Sequence, residues 1–162
     1  MKINKKERRK AIRSAIAATA LRDLVSVRHK FSRQVPIVLE SKFESLNKTK
    51  QVKDLLLKIG FEDELKRIND KKIRAGRGKS RNRKYRIKRG PLIIVSGKCL
   101  LEKASRNLQG IETSFVENLN AEILAPGTIP GRLVIWSEDA IKKMEKEKLF
   151  TNHQVGKEEK KK

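Results

Sequence analysis

Residues 75–84 read AGRGKSRNRK, and Gly78-Lys79-Ser80 within them is how a nucleotide-binding phosphate loop ends. The full loop has the form G-x-x-x-x-G-K-[ST], follows a strand and opens a helix. Its first glycine lets successive backbone N–H groups curl toward the phosphates. Ile73 stands where that glycine belongs, and the charged Asn69-Asp70-Lys71-Lys72 precedes it in place of a buried strand. Arg81-Asn82-Arg83-Lys84-Tyr85-Arg86 follows, with no apolar helical face. All three requirements fail, so the chemistry here is that of the charges.

Those charges are dense. Residues 71–89 read KKIRAGRGKSRNRKYRIKR, with eleven Lys or Arg in nineteen positions and no acid. Six are Arg, whose planar fork matches phosphate oxygens and stacks on bases. Gly76 and Gly78 are expected to let the backbone approach a neighbour closely. Tyr85 has two readings, stacking on an exposed base or anchoring the tract to a core. Without a continuous apolar face the tract is not expected to fold by itself. A flexible Arg-rich segment that orders on its partner suits irregular folded RNA better than duplex DNA. No helix-turn-helix, zinc finger or basic zipper pattern is present.

The whole chain shares this bias. It has 162 residues, 41 Lys plus Arg against 19 Asp plus Glu, and a formal charge of +22. Such self-repulsion points to a polyanionic partner, nucleic acid before an anionic membrane surface. The length suits one domain, residues 1–150 with a basic insertion at 71–90, and a charged tail at 151–162. Cys99 is the lone cysteine, so neither a disulfide framework nor a Cys-based metal site is available; it reads as a small buried thiol. His29 and His153 have no ligand spacing, and no metal or cofactor is expected. The composition fits an intracellular protein. Ala15 to Leu21, seven weakly apolar residues at the lower limit for a secretory signal core, is interrupted by Arg13 and closed by Arg22 and reads as a helix with a small-residue face; no run approaches the ~18 residues of a membrane span.

The elements that must position these charges follow from apolar periodicity. Asn4 followed by Glu7 has capping spacing, and a helix is expected from about 5 to about 28 with Ile12, Ile16, Ala20 and Leu24 on one face. Its first turns carry Lys5, Lys6, Arg8, Arg9, Lys10 and Arg13. These oppose the helix dipole and so imply a negative partner. Pro36 to Leu39 reads as a strand, 48–59 as a helix stopped by Gly60, and 61–68 as a second short helix. PLIIV at 91–95 and LVIW at 133–136 read as strands buried on both faces, hence a parallel sheet with helices above and below. Between them are a helix at 98–107 with Leu100, Leu101 and Ala104 inward, a strand at 111–116 and a turn or short helix at 118–124. Ser137 is expected to cap a last helix from Glu138 to about Lys148. The alternation predicts an α/β fold, with the basic tract inserted in the second crossover.

Several stretches together resemble a known family: NKKERRKAIRSAIAAT (4–19), KIRAGRGKSRNRKY (72–85), ASRNLQGI (104–111), LNAEILAPGT (119–128) and GRLVIWSEDAIKKM (131–144). They are similar, in order and over about residues 4–148, to the L-four family of large-subunit ribosomal proteins, in its archaeal and eukaryotic branch. The resemblance implies a three-layer α/β/α domain with a four-stranded parallel sheet. It also implies binding to large-subunit rRNA, a role in subunit assembly, and a place in the cytoplasmic ribosome beside neighbouring large-subunit proteins. The RNA-binding candidates are Arg8, Arg9 and Arg13 on the first helix and, in the tract, Lys71, Lys72, Arg74, Arg77, Lys79, Arg81, Arg83, Lys84, Tyr85, Arg86, Lys88 and Arg89. Family members usually begin with an extra N-terminal part whose extended loop reaches toward the nascent-peptide tunnel. This chain starts where that loop would end, which fits a split gene, a truncated chain or an incomplete one; under the first of these, a separate chain supplying that part joins the expected partners. Tunnel lining is assigned to no residue.

Two other readings are a free RNA-binding regulator and an RNA-acting enzyme on a doubly wound fold. The latter would place its ligand after Val95 and Trp136, at Ser96-Gly97-Lys98 and Ser137-Glu138-Asp139, where no glycine fingerprint or paired histidine is found.

Overall fold

In the computed structural model, which describes residues 3–151, four parallel strands form one sheet. They are β1 (Ile37–Leu39), β4 (Leu92–Val95), β5 (Glu112–Phe115) and β6 (Val134–Ser137), in the order β1-β6-β4-β5. The apolar runs explain the order: β4 and β6 take the two central places, and every residue of both is buried. Successive side chains of a strand point to opposite faces. Ile93, Val95, Leu133 and Ile135 accordingly enter one core with Phe43, Leu56 and Phe61. Leu92, Ile94, Val134 and Trp136 enter the other with Ile12, Leu124 and Ala140.

Helices cover both faces, giving the α/β/α sandwich. α1 (Lys5–Thr19), α6 (Ala121–Leu124) and α7 (Glu138–Lys146) lie on one side. α2 (Arg22–Ser26), α3 (Thr49–Ile59), the start of α4 (Glu62–Asn69) and α5 (Leu100–Arg106) lie on the other. Gly60 closes α3 in the left-handed region at φ 95°, the conformation only glycine adopts without strain.

The long first helix is two helices. Asn4 Oδ1 accepts the Lys6 N–H at 3.0 Å as the cap requires, but the helix stops at Thr19, whose hydroxyl donates to the Ile16 carbonyl at 2.7 Å. Leu21 is extended and α2 starts afresh. The break carries the chain from one layer to the other, since Ile12 and Ala15 bury on one face of the sheet and Val25 on the opposite face. One straight helix cannot do both, and Val27 ends up exposed. α5 is also shorter than expected; Leu100 opens it and faces solvent while Leu101 and Ala104 point inward. Cys99 is half-buried rather than buried, and burial pushes its thiol pKa up. His153 and nearly all of the charged tail lie outside the described residues.

The basic tract is not featureless. β2 (Lys72–Ile73) and β3 (Tyr85–Arg86) pair antiparallel as a hairpin. It sits in the first sheet connection, between β1 and β4, not the second. Its root is clamped to the body by two close-packed glycines. Gly90 donates to the Gly110 carbonyl at 2.8 Å. A Cβ on Gly110, at φ +73°, would lie 2.3 Å from Ile68 Cγ2 and 2.7 Å from the Lys88 carbonyl. Gly110→Ala therefore combines left-handed strain with overpacking and is expected to cost about 2–4 kcal/mol. Urea unfolding checks this, and a midpoint equal to wild type would refute the clamp.

Candidate nucleic-acid interface

The hairpin is held by backbone geometry. Beyond the two paired positions, the Arg74 amide donates to the Lys84 carbonyl at 2.8 Å and the Arg83 amide to the Gly78 carbonyl at 3.0 Å. The tip turns through Gly76–Gly78 and through Asn82, both Gly76 and Asn82 having positive φ. Gly76 is thus required for its conformation and not for a close approach, since nothing lies within 4 Å of a Cβ built there. The Lys79 amide faces the Gly76 carbonyl, so this turn is no phosphate loop.

Backbone pairing leaves the side chains to solvent. From 71 to 89 only Gly78 and Lys88 are partly covered, and all the rest are exposed. Arg77, Lys79, Arg81 and Arg83 form a cationic tip with no ion pair to a carboxylate among the described residues. Tyr85 is 49% exposed, beside Ile73 on the paired strand and under the Lys84 ammonium, 5.6 Å from the ring centroid. It does not anchor the tract to either core. An aromatic and an aliphatic surface framed by cations is the arrangement that accepts an unstacked base.

Sequence reading missed what holds the hairpin at its root. Glu64 of α4 is fully buried. It accepts from His29 Nδ1 at 2.6 Å, from the Lys30 amide at 2.9 Å, and from Arg67 Nε and Nη2 at 2.8 and 2.6 Å. With a carboxylate as acceptor, His29 carries its proton on Nδ1. Burial alone pushes the Glu64 pKa up, but the hydrogen bonds from Arg67, His29 and Lys30 outweigh it and hold the carboxyl down at about 2. Arg67 Nη2 also donates to the Arg89 carbonyl at 2.8 Å, and Lys88 Nζ pairs with Asp70 at 2.7 Å. The hairpin's second strand therefore leaves from a rigid, hydrogen-bonded base.

Between the hairpin root and the body lies a cleft of about 420 Å³, lined by Arg28, Arg67, Lys72, Arg86, Ile87, Lys88 and Arg89. Lys72, Arg86, Lys88 and Arg89 are tract residues expected to bind. Arg28, in the turn just past α2, and Arg67 of α4 carry no such signal in their spacing. Six cations and no acid line it, so its field favours an anion.

The cations of α1 belong elsewhere. α1 packs in the α6/α7 layer, whereas the hairpin follows α4 of the opposite layer. Arg8 is exposed, but Arg9 and Arg13 donate to the Thr151 and Phe150 carbonyls at 3.1 and 2.8 Å. They tie α1 to the end of the described chain as well as presenting charge.

The crevice beyond the strand ends, where doubly wound enzymes bind their ligands, is filled from within. Glu44 accepts from the Ser96 amide at 2.8 Å, the Ser96 hydroxyl at 2.7 Å and the Ser137 hydroxyl at 2.5 Å. Ser137 stands at the first position before α7 but makes no side-chain cap, because its hydroxyl is committed to Glu44. The described residues contain no group of three or more metal-ligating side chains and no helix long and apolar enough to cross a membrane.

Comparison with known proteins agrees with this geometry. Residues 1–147 match the model of the ribosomal protein L4/L1 family. The chain is 52% identical over 151 residues to the large ribosomal subunit protein uL4 of Nanoarchaeum equitans, covering 92% of this chain and 56% of the relative. It is 49% identical over 146 residues to the uL4 of Methanococcoides burtonii, covering 89% and 58%. With the uL4 of Methanocaldococcus jannaschii it shares 48% over 146 residues, covering 88% and 58%. The chain spans a little over half the length of these curated relatives. The five motif stretches, the four-stranded parallel sandwich and these matches place the chain in the ribosomal protein L4/L1 family.

Proposed function

We propose that this chain is a structural constituent of the large ribosomal subunit, binding large-subunit rRNA through the basic hairpin and supporting subunit assembly. The observation that carries this reading is the exposed cationic hairpin on a rigid root, in a chain of this family. Its cytoplasmic location follows from membership of the ribosome, and its protein partners are the neighbouring large-subunit proteins. The role is scaffolding and not catalysis, and the self-filled strand-end crevice supports that view.

Crosslinking on the native particle tests it. Contacts from residues 72–89 are expected to fall in large-subunit rRNA. Crosslinks scattered over unrelated RNAs without large-subunit enrichment would instead describe a free RNA-binding regulator.

A further inference from the structure

A second basic site lies at the opposite edge of the sheet from Glu44, before the strands begin. Arg132, which immediately precedes the LVIW run, is 1% exposed. Its Nε donates to the Gly90 carbonyl at 3.1 Å. Its Nη1 donates to Glu112 Oε2 and to the Ile123 carbonyl, each at 2.8 Å. Its Nη2 has no hydrogen-bond partner among the described residues. A buried charged donor left unpaired is costly and calls for an unseen partner.

Arg132 lines a cavity of about 620 Å³ together with Arg28, Arg89, Glu112 and Glu122. Arg28 is held there by the Pro126 and Ile129 carbonyls, each at 2.9 Å, and Arg89 by an ion pair with Glu112. Three guanidinium groups against two carboxylates leave one positive charge, the charge that one phosphodiester neutralises. Burial, then the charges of Arg89 and Arg28, pull the Arg132 pKa down to about 10. Arg28 and Arg89 also line the cleft at the hairpin root, which makes the two spaces adjoining.

We infer that this cavity is a docking site for one RNA backbone phosphate, held by Arg132 Nη2 with Arg28 and Arg89. The inference rests on the proposed rRNA-binding role and adds Arg28 and Arg132 to its machinery. A strand lying along the hairpin root would place a phosphate there and connect the basic hairpin to the start of the sheet.

The test is binding of a large-subunit rRNA transcript across a salt series, with wild type, Arg28→Gln and Arg132→Lys. Each variant is expected to bind about 10-fold more weakly; Arg28→Gln removes a charge and should flatten the log–log salt slope by about one, whereas Arg132→Lys keeps its charge, loses the guanidinium fork and should leave the slope near wild type. In parallel, inorganic phosphate is expected to raise the unfolding temperature of wild type more than that of Arg132→Lys. Arg28→Gln keeps the result decisive if Arg132→Lys does not fold, since Arg28 is only partly buried. Wild-type affinity and slope in Arg28→Gln would overturn the site, while loss of binding on hairpin substitution would leave the general rRNA-binding role standing. Stabilisation by phosphate with an unchanged RNA salt slope in Arg28→Gln would make it a free-anion site and overturn the RNA assignment. A wild-type chain with no salt-dependent rRNA binding would sink the proposed function, and this site with it.

Discussion

Substituting Arg77, Lys79, Arg81 and Arg83 together with alanine is expected to weaken binding to large-subunit rRNA by about 10³-fold near 0.1 M salt. The same variant is expected to flatten the salt slope by about three to four units. Each neutralised phosphate releases condensed counterions and contributes about 0.7 to 0.9 to that slope. If wild type contacts about six to ten phosphates, its own affinity should fall roughly 10³ to 10⁵-fold between about 50 and 200 mM salt. The fold should survive the substitution, because all four side chains are exposed at the hairpin tip and bury nothing. Removing four like charges from a chain of formal charge +22 relieves self-repulsion, so the unfolding midpoint should hold or rise. A salt slope equal to wild type, in a folded variant, would exclude the tip from the interface.

The second large effect concerns the root. Glu64→Ala is expected to destabilise the fold by about 3–5 kcal/mol, because it strands Arg67 and His29 without their buried acceptor. It should also loosen the hairpin, since the same Arg67 holds the Arg89 carbonyl. The pH dependence has a definite sign. The Glu64 pKa is lowered from 4.5 to about 2 in the folded chain, so its stabilisation is complete above the unfolded value. It drains away as pH falls from about 4.5 toward 2. Denaturant titrations of wild type and Glu64→Gln should therefore converge over that window. A gap between the two that stays constant from pH 6 to pH 2 would show that Glu64 is not held as a carboxylate.

Local signals in the chain were enough for the layers. PLIIV and LVIW are buried on both faces because they are continuous apolar runs, and the two became the central strands. Gly60 stopped α3 where expected. The expectations that failed were those that competing contacts decide. The helix from 5 to 28 broke because Ile12 and Val25 serve different faces of the sheet. Ser137 has the residue type of a cap, yet Glu44, 93 positions earlier, claims its hydroxyl. The tract's composition argued against local order, and its short hairpin comes from backbone pairing that needs no apolar face.

Sequence alone determined the sign and density of the charge, the apolar periodicity and the motif stretches that resemble a ribosomal family. All of these are properties of neighbouring residues. Tertiary structure alone decided the strand order, the burial of His29 against Glu64, and the meeting of Arg28, Arg89 and Arg132 around one cavity. The physical reason is separation along the chain. A hydrogen bond or shared charge field between residues tens of positions apart leaves no spacing to read, because it exists only after the sheet has brought their elements together.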